Sequence, residues 1–302
     1  KKDPSAAGGG LRAAPSTKSQ RSVVDEGAPL GVATTRSMER VAAAVGLLRE
    51  APIEFEPVAD VPLGGVLCAL PALLGFGLLR HTRENFTLPP GFYPIETIFL
   101  VVAFLALARI RSLEALRYQA PGEWGKLLGL DRVPEVKTLR EKLGILCADP
   151  ERARAWSSTL ARDWMEATPE SAGTLYIDGH VRVYHGALTR LPRRYVSRER
   201  LCLRGTTDYW VNAMDGQPFF VVTRPVDDGL LSVLKEEIVP RLQTEVPGQP
   251  GAEELAADPL QHRFTIVFDR EGYSPKFFAA MREKRIAVLT PLYWLVDITG
   301  RR

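Results

Sequence analysis

Two aspartates and a run of arginines are the residues of this chain best suited to chemistry. Asp178 falls at the centre of Thr174-Leu175-Tyr176-Ile177-Asp178-Gly179-His180-Val181-Arg182-Val183-Tyr184, where Leu175, Ile177, Val181 and Val183 alternate with polar or aromatic residues. A period of two predicts a strand with one buried face, and Asp178 lies on the other face. Aspartate is a poor strand former, so a strand that keeps one at its centre has a use for it; the competing reading is a solvated carboxylate beside a kink at Gly179. Asp269 follows the apolar run Phe264-Thr265-Ile266-Val267-Phe268, at the carboxyl end of a strand, where open α/β sheets keep their chemistry. Arg182, Arg190, Arg193, Arg194, Arg198, Arg200 and Arg204 lie close together, with Glu199 the one acid among them. Guanidinium groups are always charged and match phosphate oxygens in two-point contacts, so this stretch reads as a phosphate-contacting surface; a solvated loop is the plainer alternative.

The elements that must position these residues follow from periodicity and punctuation. Residues 1–36 mix Gly, Ala, Ser, Pro and both charges without period and read as a disordered tail. Ser37 is expected to cap a helix with Val41, Val45 and Leu48 on one face. Val61 to Leu79 carries no charge, and a second apolar run spans Thr97 to Ala108. The first is interrupted by Pro62, Pro71 and four glycines, the second is short for a span, and arginines flank both sides. These features favour two buried helices over a membrane hairpin. A short helix from Glu123 to Leu128, ended by Gly129, precedes another opened by Pro134, whose stripe Val136, Leu139 and Leu143 leaves Lys137, Thr138, Arg140 and Lys142 outside. The pair has the look of a helix-turn-helix with Lys137 and Arg140 facing DNA. A helix from Pro150 to Ala167 follows, with Ala153, Trp156, Leu160 and Trp164 inward.

Beyond the arginines, strands Thr207–Asn212 and Pro218–Thr223 are joined through Asp215-Gly216, a favoured hairpin turn, and Asp208 reads as a turn former. Gly229 to Leu242 is an amphipathic helix, 247–261 a Pro/Gly-rich surface loop, and Ser274-Pro275 the start of a helix with Phe277, Phe278 and Met281 inward. Ile286 to Leu289 reads as a last short buried strand.

Composition bounds the partners weakly. Lys plus Arg is 39 against 36 for Asp plus Glu, a net charge of +3, so any nucleic-acid surface must be local. Cys68, Cys147 and Cys202 show no paired spacing, which fits a reducing compartment and argues against a disulfide framework or a cysteine zinc site. His180 and His185 could be drawn with Asp178 as a zinc site, but five residues along a strand turn the two imidazoles to opposite faces.

The strings Tyr176 to Gly186, Arg200-Leu201-Cys202-Leu203-Arg204-Gly205-Thr206-Thr207-Asp208-Tyr209-Trp210 and Val267-Phe268-Asp269-Arg270-Glu271-Gly272-Tyr273-Ser274-Pro275 resemble those of bacterial insertion-sequence transposases with an Asp-Asp-Glu triad. The likeness covers roughly residues 120–290. It implies a mixed-sheet α/β, ribonuclease-H-like catalytic domain over 171–302, after a helical DNA-binding and dimerisation region over 37–170. In that fold the first strand and the strand after the first helix are neighbours, so Asp178 and Asp269 would converge. Two facing carboxylates call for a hard divalent cation, Mg²⁺ or Mn²⁺.

The resemblance further implies a two-ion site held by Asp178 and Asp269, metal-dependent cleavage and strand transfer, DNA as substrate, a homodimer and a place in the bacterial cytoplasm. The family's third acid is a Glu on a helix after the last strand. Glu271 and Glu283 come too early for it and Asp297 has no evident helix, so the third acid is expected beyond the end of the chain. On that reading the catalytic domain is incomplete and this copy weakly active or inactive. The rival readings are a DNA-binding remnant without chemistry, a hydrolytic nuclease on the same fold, and a membrane protein built on residues 61–110.

Overall fold

The computed structural model describes residues 36–55 and 57–291. The predicted tail up to residue 35 and the last residues, Asp297 among them, lie outside that range. The described residues form two compact units, one within 36–69 and 89–141, the other within 70–88 and 142–291. The helix before the central strand and the segment 70–88 both belong with the sheet.

In the first unit, α1 spans Ser37–Ala44, and its N-cap is Arg36, with no side-chain cap. Ser37 is therefore the first helical residue and not the cap. Arg36 is buried and donates to the carbonyls of Pro52 and Gly129, while Val41 and Val45 are exposed, so charge and not the apolar stripe ties this helix down. Arg40 makes a two-point contact with Asp131, at 2.5 Å for each bond, and stacks over Phe92 at 4.0 Å.

The charge-free stretch is broken, with a 3₁₀ turn at Gly64–Ala69 and α2 at Leu70–Gly75, and most of it is partly or fully exposed. The expected buried helix is absent there because its prolines and glycines stop propagation. After α3, Thr82–Asn85, the second apolar run forms α4, Ile95–Leu107, with Ile98, Val101 and Phe104 fully buried, as the sequence indicates. No helix among the described residues is long and apolar enough to cross a membrane. A 3₁₀ turn, Leu113–Tyr118, leads to α5, Pro121–Leu127, and then α6, Val136–Leu146. Residues 128–135 separate these two helices. A helix-turn-helix uses a turn of about 3–4 residues, so the longer connection departs from that arrangement. Pro134 stands before α6 and not in its first turn.

The second unit is a sheet covered by helices on one face. α7, Pro150–Ala167, is capped by Asp149, whose carboxylate accepts from Glu151 N–H at 3.1 Å. It buries Leu160, Ala161 and Met165, whereas Ala153, expected inward, is exposed. Trp156 and Trp164 donate their indole N–H groups to the carbonyls of Arg80 and Phe76, both at 2.8 Å, so the tryptophan stripe grips the 76–80 segment. α8, Pro169–Ala172, leads into β1, Thr174–Val183.

β2, Arg193–Val196, and β3, Leu201–Asn212, place Arg193, Arg194 and Arg204 of the arginine-rich stretch in paired strands. β3 continues through the Asp215-Gly216 turn, Gly216 at φ +90°, into β4, Pro218–Pro225. A continuous helical stretch follows: α9, Leu230–Val233, a π-helical turn at Leu234–Ile238, and α10, Val239–Glu245. Pro240 supplies no N–H to the preceding turn, which accounts for the wider π geometry. Within the expected loop lies α11, Ala252–Ala257, stabilised by Glu254 accepting from Gly251 N–H at 2.8 Å and by buried Leu255. β5, Thr265–Phe268, α12, Pro275–Glu283, capped by the Ser274 hydroxyl, and β6, Ala287–Leu289, complete the unit.

β1 pairs antiparallel with β3 and parallel with β5, β5 pairs parallel with β6, and β4 pairs antiparallel with β3. Leu175, Ile177, Tyr209, Val211, Phe220, Val222, Ile266 and Phe268 form the buried face, filled from above by Met165, Leu234, Ile238, Leu242 and Phe277. Among the described residues β6 is the outermost strand on its side, and of the expected buried strand Ile286 is buried while Leu289 is exposed.

His81, at φ +60°, holds the 70–88 segment to α7: its ring nitrogens lie 3.0 Å from Asp163 and 3.0 Å from Glu84. The hydrogen bond to Asp163 raises the imidazole above its usual value. Burial pushes Asp163 up, but bonds from Arg80 and His81 overcome it and hold that carboxylate low. The imidazole's contribution is complete below about pH 6.5 and is lost as pH rises through the raised value, while the carboxylate's is lost only in acid, below about pH 4. The urea midpoint should therefore fall between about pH 6 and 8.5 in the native chain. It should be flatter in His81→Asn, which tolerates the left-handed backbone without titrating. Parallel slopes in the two proteins would refute the assignment.

Candidate active site

The parallel register of β1 and β5 sets Ile177 against Phe268, so the next residue on each strand is an aspartate. Both Ile177 and Phe268 point into the core, which aims Asp178 the other way and releases Asp269 at the strand end. Asp178 is exposed, as its place opposite the core predicts. Its Oδ1 accepts from Gly179 N–H at 2.9 Å, and Asp269 Oδ1 accepts from Glu271 N–H at 3.0 Å, capping the 3₁₀ turn Arg270–Gly272. Gly272 is pressed onto the strand: a Cβ there would lie 2.6 Å from the Phe268 ring.

Asp178 and Asp269 line one cavity of about 450 Å³, together with Glu271, Arg194, Arg198 and Thr207. Among the described residues neither aspartate has an ion-pair partner, and no three His, Cys, Asp or Glu side chains stand close enough to hold a metal ion. The donor set nevertheless fits Mg²⁺, which keeps several waters and is usually bound through one or two carboxylates plus substrate phosphates. His180 is exposed on β1 and His185 lies beyond its end, so neither completes a zinc site.

The arginines divide into two groups. Arg182 Nε lies 2.5 Å from Asp208, which is buried at mid-strand and also accepts from the Thr223 hydroxyl at 2.8 Å. Asp208 is thus an internal partner and not a turn former, because β3 starts at Leu201, six residues before the expected strand. Arg194 Nη2 lies 2.7 Å from Glu271 Oε1, and that carboxylate raises the guanidinium. Arg190, Arg193, Arg198 and Arg200 are exposed, Arg204 is partly buried, and Arg200 sits at φ +55° in the turn between β2 and β3. In the other unit, exposed Lys137 pairs with Glu141 at 4.0 Å and exposed Arg140 with Glu114.

Two further groups escape sequence reasoning. Burial raises the Tyr209 phenol, which donates to Asp228 O at 2.8 Å. Thr207, one alternation away on the same face, is 4% exposed, and its hydrogen bond to the Tyr209 phenol works against that rise. Only the period of two in β3 could have placed them on the cavity side.

A family model described as "Transposase protein" matches residues 31–300. The chain belongs to that transposase family. No curated protein and no solved structure matches it. Membership of a transposase family makes this a DNA-processing protein.

Removing Arg182 strands a buried carboxylate. Arg182→Ala should cost on the order of 1–3 kcal/mol in urea unfolding, and adding Asp208→Asn should restore part of it. Full additivity of the two substitutions would show that the pair is not coupled.

Proposed function

We propose that the transposase performs metal-dependent phosphoryl transfer on DNA of the Asp-Asp-Glu type, on a ribonuclease-H-like sheet, with Asp178 and Asp269 holding Mg²⁺ or Mn²⁺. The observation that carries this reading is the β1–β5 register, which puts two unpaired carboxylates on one cavity. The sheet order β4-β3-β1-β5-β6, antiparallel on one side of β1 and parallel on the other, agrees with the fold that the resemblance implies.

A divalent ion bound there would supply Lewis-acid stabilisation of the attacked phosphate and lower the pKa of a bound hydroxyl. The chain's own residues would do the rest. Asp178 and Asp269 neutralise and orient the ion, and Arg193, Arg198 and Arg200 grip backbone phosphates. Such contacts fix the duplex in register without reading sequence, and they weaken as salt rises. In the first displacement a water oxygen forms a bond to phosphorus as the bond to the 3′ oxygen breaks, the water proton passing to solvent and the 3′ oxygen gaining one. In the second, that freed 3′ hydroxyl is the nucleophile toward target DNA, and the bond broken is the target's own. Two copies of the chain would serve the two element ends.

The test is nicking of a supercoiled plasmid that carries the coding sequence with its flanking DNA, in Mn²⁺. Asp178→Ala and Asp269→Ala should each lower the rate by about 10²-fold or more, since each removes several kcal/mol of charge stabilisation, while leaving duplex binding intact. Equal nicking by the variants would contradict the assignment. Binding without nicking by the unaltered chain would favour a DNA-binding remnant.

A further inference from the structure

β3 outruns the central sheet. Its pairing with β1 ends at Gly205 opposite Val183, and its pairing with β4 at Thr206 opposite Pro225. Residues 201–204 continue with β2 as a two-stranded antiparallel ribbon. Gly205 marks the departure, because a Cβ there would collide with the Arg182 carbonyl oxygen.

Within the ribbon Arg193 stands opposite Arg204, and Tyr195 opposite Cys202. Residues directly opposite share a face. Alternation along β3, from Arg204 through Thr206 and Asp208 to Trp210, the partner of Asp178, puts that face on the Asp178 side of the sheet. Like charges directly opposite destabilise a strand pair, and among the described residues neither arginine has an acid partner. The fold thus keeps a repulsive pair on an open face, and a polyanion laid across it would relieve the repulsion.

Resting on the DNA reading and not on the metal, we propose that this ribbon reads sequence: its Asp178-side face enters the major groove, where Arg204 and Tyr195 contact base edges and Arg193 holds the backbone at the groove's edge.

The dimensions agree. The major groove is about 12 Å wide and admits a two-stranded ribbon, whose strands stand about 4.8 Å apart. Arg204 is better placed to read than Arg193. Its backbone is held by the pairing with β2 and by Tyr184 N–H, which donates to its carbonyl at 2.8 Å. A guanidinium meets O6 and N7 of one guanine in a two-point contact, and such a contact needs a fixed backbone. Arg193 opens the edge strand and is exposed, which suits a phosphate contact that must follow the DNA. Tyr195, 57% exposed, offers its ring to a thymine methyl. Because the face is shared with Asp178, the bases read lie on the side of the sheet that carries that carboxylate.

Selection of bound duplexes from a random-sequence pool by the full chain, at fixed salt and with EDTA in place of metal, tests the ribbon. The native chain should enrich a motif. Arg204→Gln should lose the choice at one base pair of it, discrimination there falling about tenfold, and keep most of its affinity for unselected duplex. Arg204→Lys, which keeps the charge but not the fork, should lose the same choice with the salt dependence unchanged. Arg193→Gln should weaken all duplexes alike and lower the salt slope by about one. An unchanged motif in both Arg204 variants, or no motif in the native chain, would overturn the inference and leave DNA binding standing. No binding of any duplex by the native chain would overturn the DNA reading as well. Circular dichroism of each variant separates misfolding from loss of a base contact.

Discussion

The pairing of β1 with β5 is the constraint on which the rest depends. Hydrogen bonding between parallel strands fixes the register, and the burial of Ile177 and Phe268 on one face makes a one-residue slip prohibitive, because a slip would send both side chains to the open face. The helices that cover this face exist to bury it. Met165, Leu234, Ile238 and Phe277 are wholly or almost wholly out of water, and each such side chain is worth about 1.5–3 kcal/mol relative to exposure. Apolar burial thus buys a polar result: two carboxylates brought side by side from distant parts of the chain.

Charge is managed differently on the two sides of that arrangement. Away from the cavity, acids and bases are consumed internally: Arg182 by Asp208, Arg40 by Asp131, and Arg241 by Glu245 at 2.7 Å beneath the Phe220 ring. Around the cavity Arg194 is held by Glu271, but among the described residues Asp178 and Asp269 accept only from backbone N–H groups, and Arg193, Arg198 and Arg200 of the β2–β3 ribbon stand in solvent. A near-neutral chain thereby presents local fields of both signs.

The sequence made the central strand legible because alternation at Leu175, Ile177, Val181 and Val183 leaves one register for Asp178. It made α7 and the Asp215-Gly216 hairpin legible through caps and turn chemistry. Other elements depended on information outside their own window. α11 sits in a Pro/Gly-rich segment and is kept by one buried leucine and one back-bonding glutamate, too little to produce a period. Val41 and Val45 look like a buried stripe, yet two arginines do the anchoring. β3 begins at Leu201 because it pairs with β2 there, and that pairing moved Asp208 from a turn to mid-strand and hid its role. Glu271 comes too early for the third acid that the resemblance implies, and the tight turn after Asp269 sets it on the same cavity.

Iron-directed backbone cleavage tests the convergence most directly. Fe²⁺ substituted for Mg²⁺, with ascorbate and peroxide, cuts the chain beside its ligands. The account predicts fragments ending near Asp178 and near Asp269 in equal yield, both suppressed by Mg²⁺ and both lost when either aspartate becomes alanine. Cuts at one aspartate only, or a cut near Asp269 that survives Asp178→Ala, would show that the two carboxylates do not share an ion.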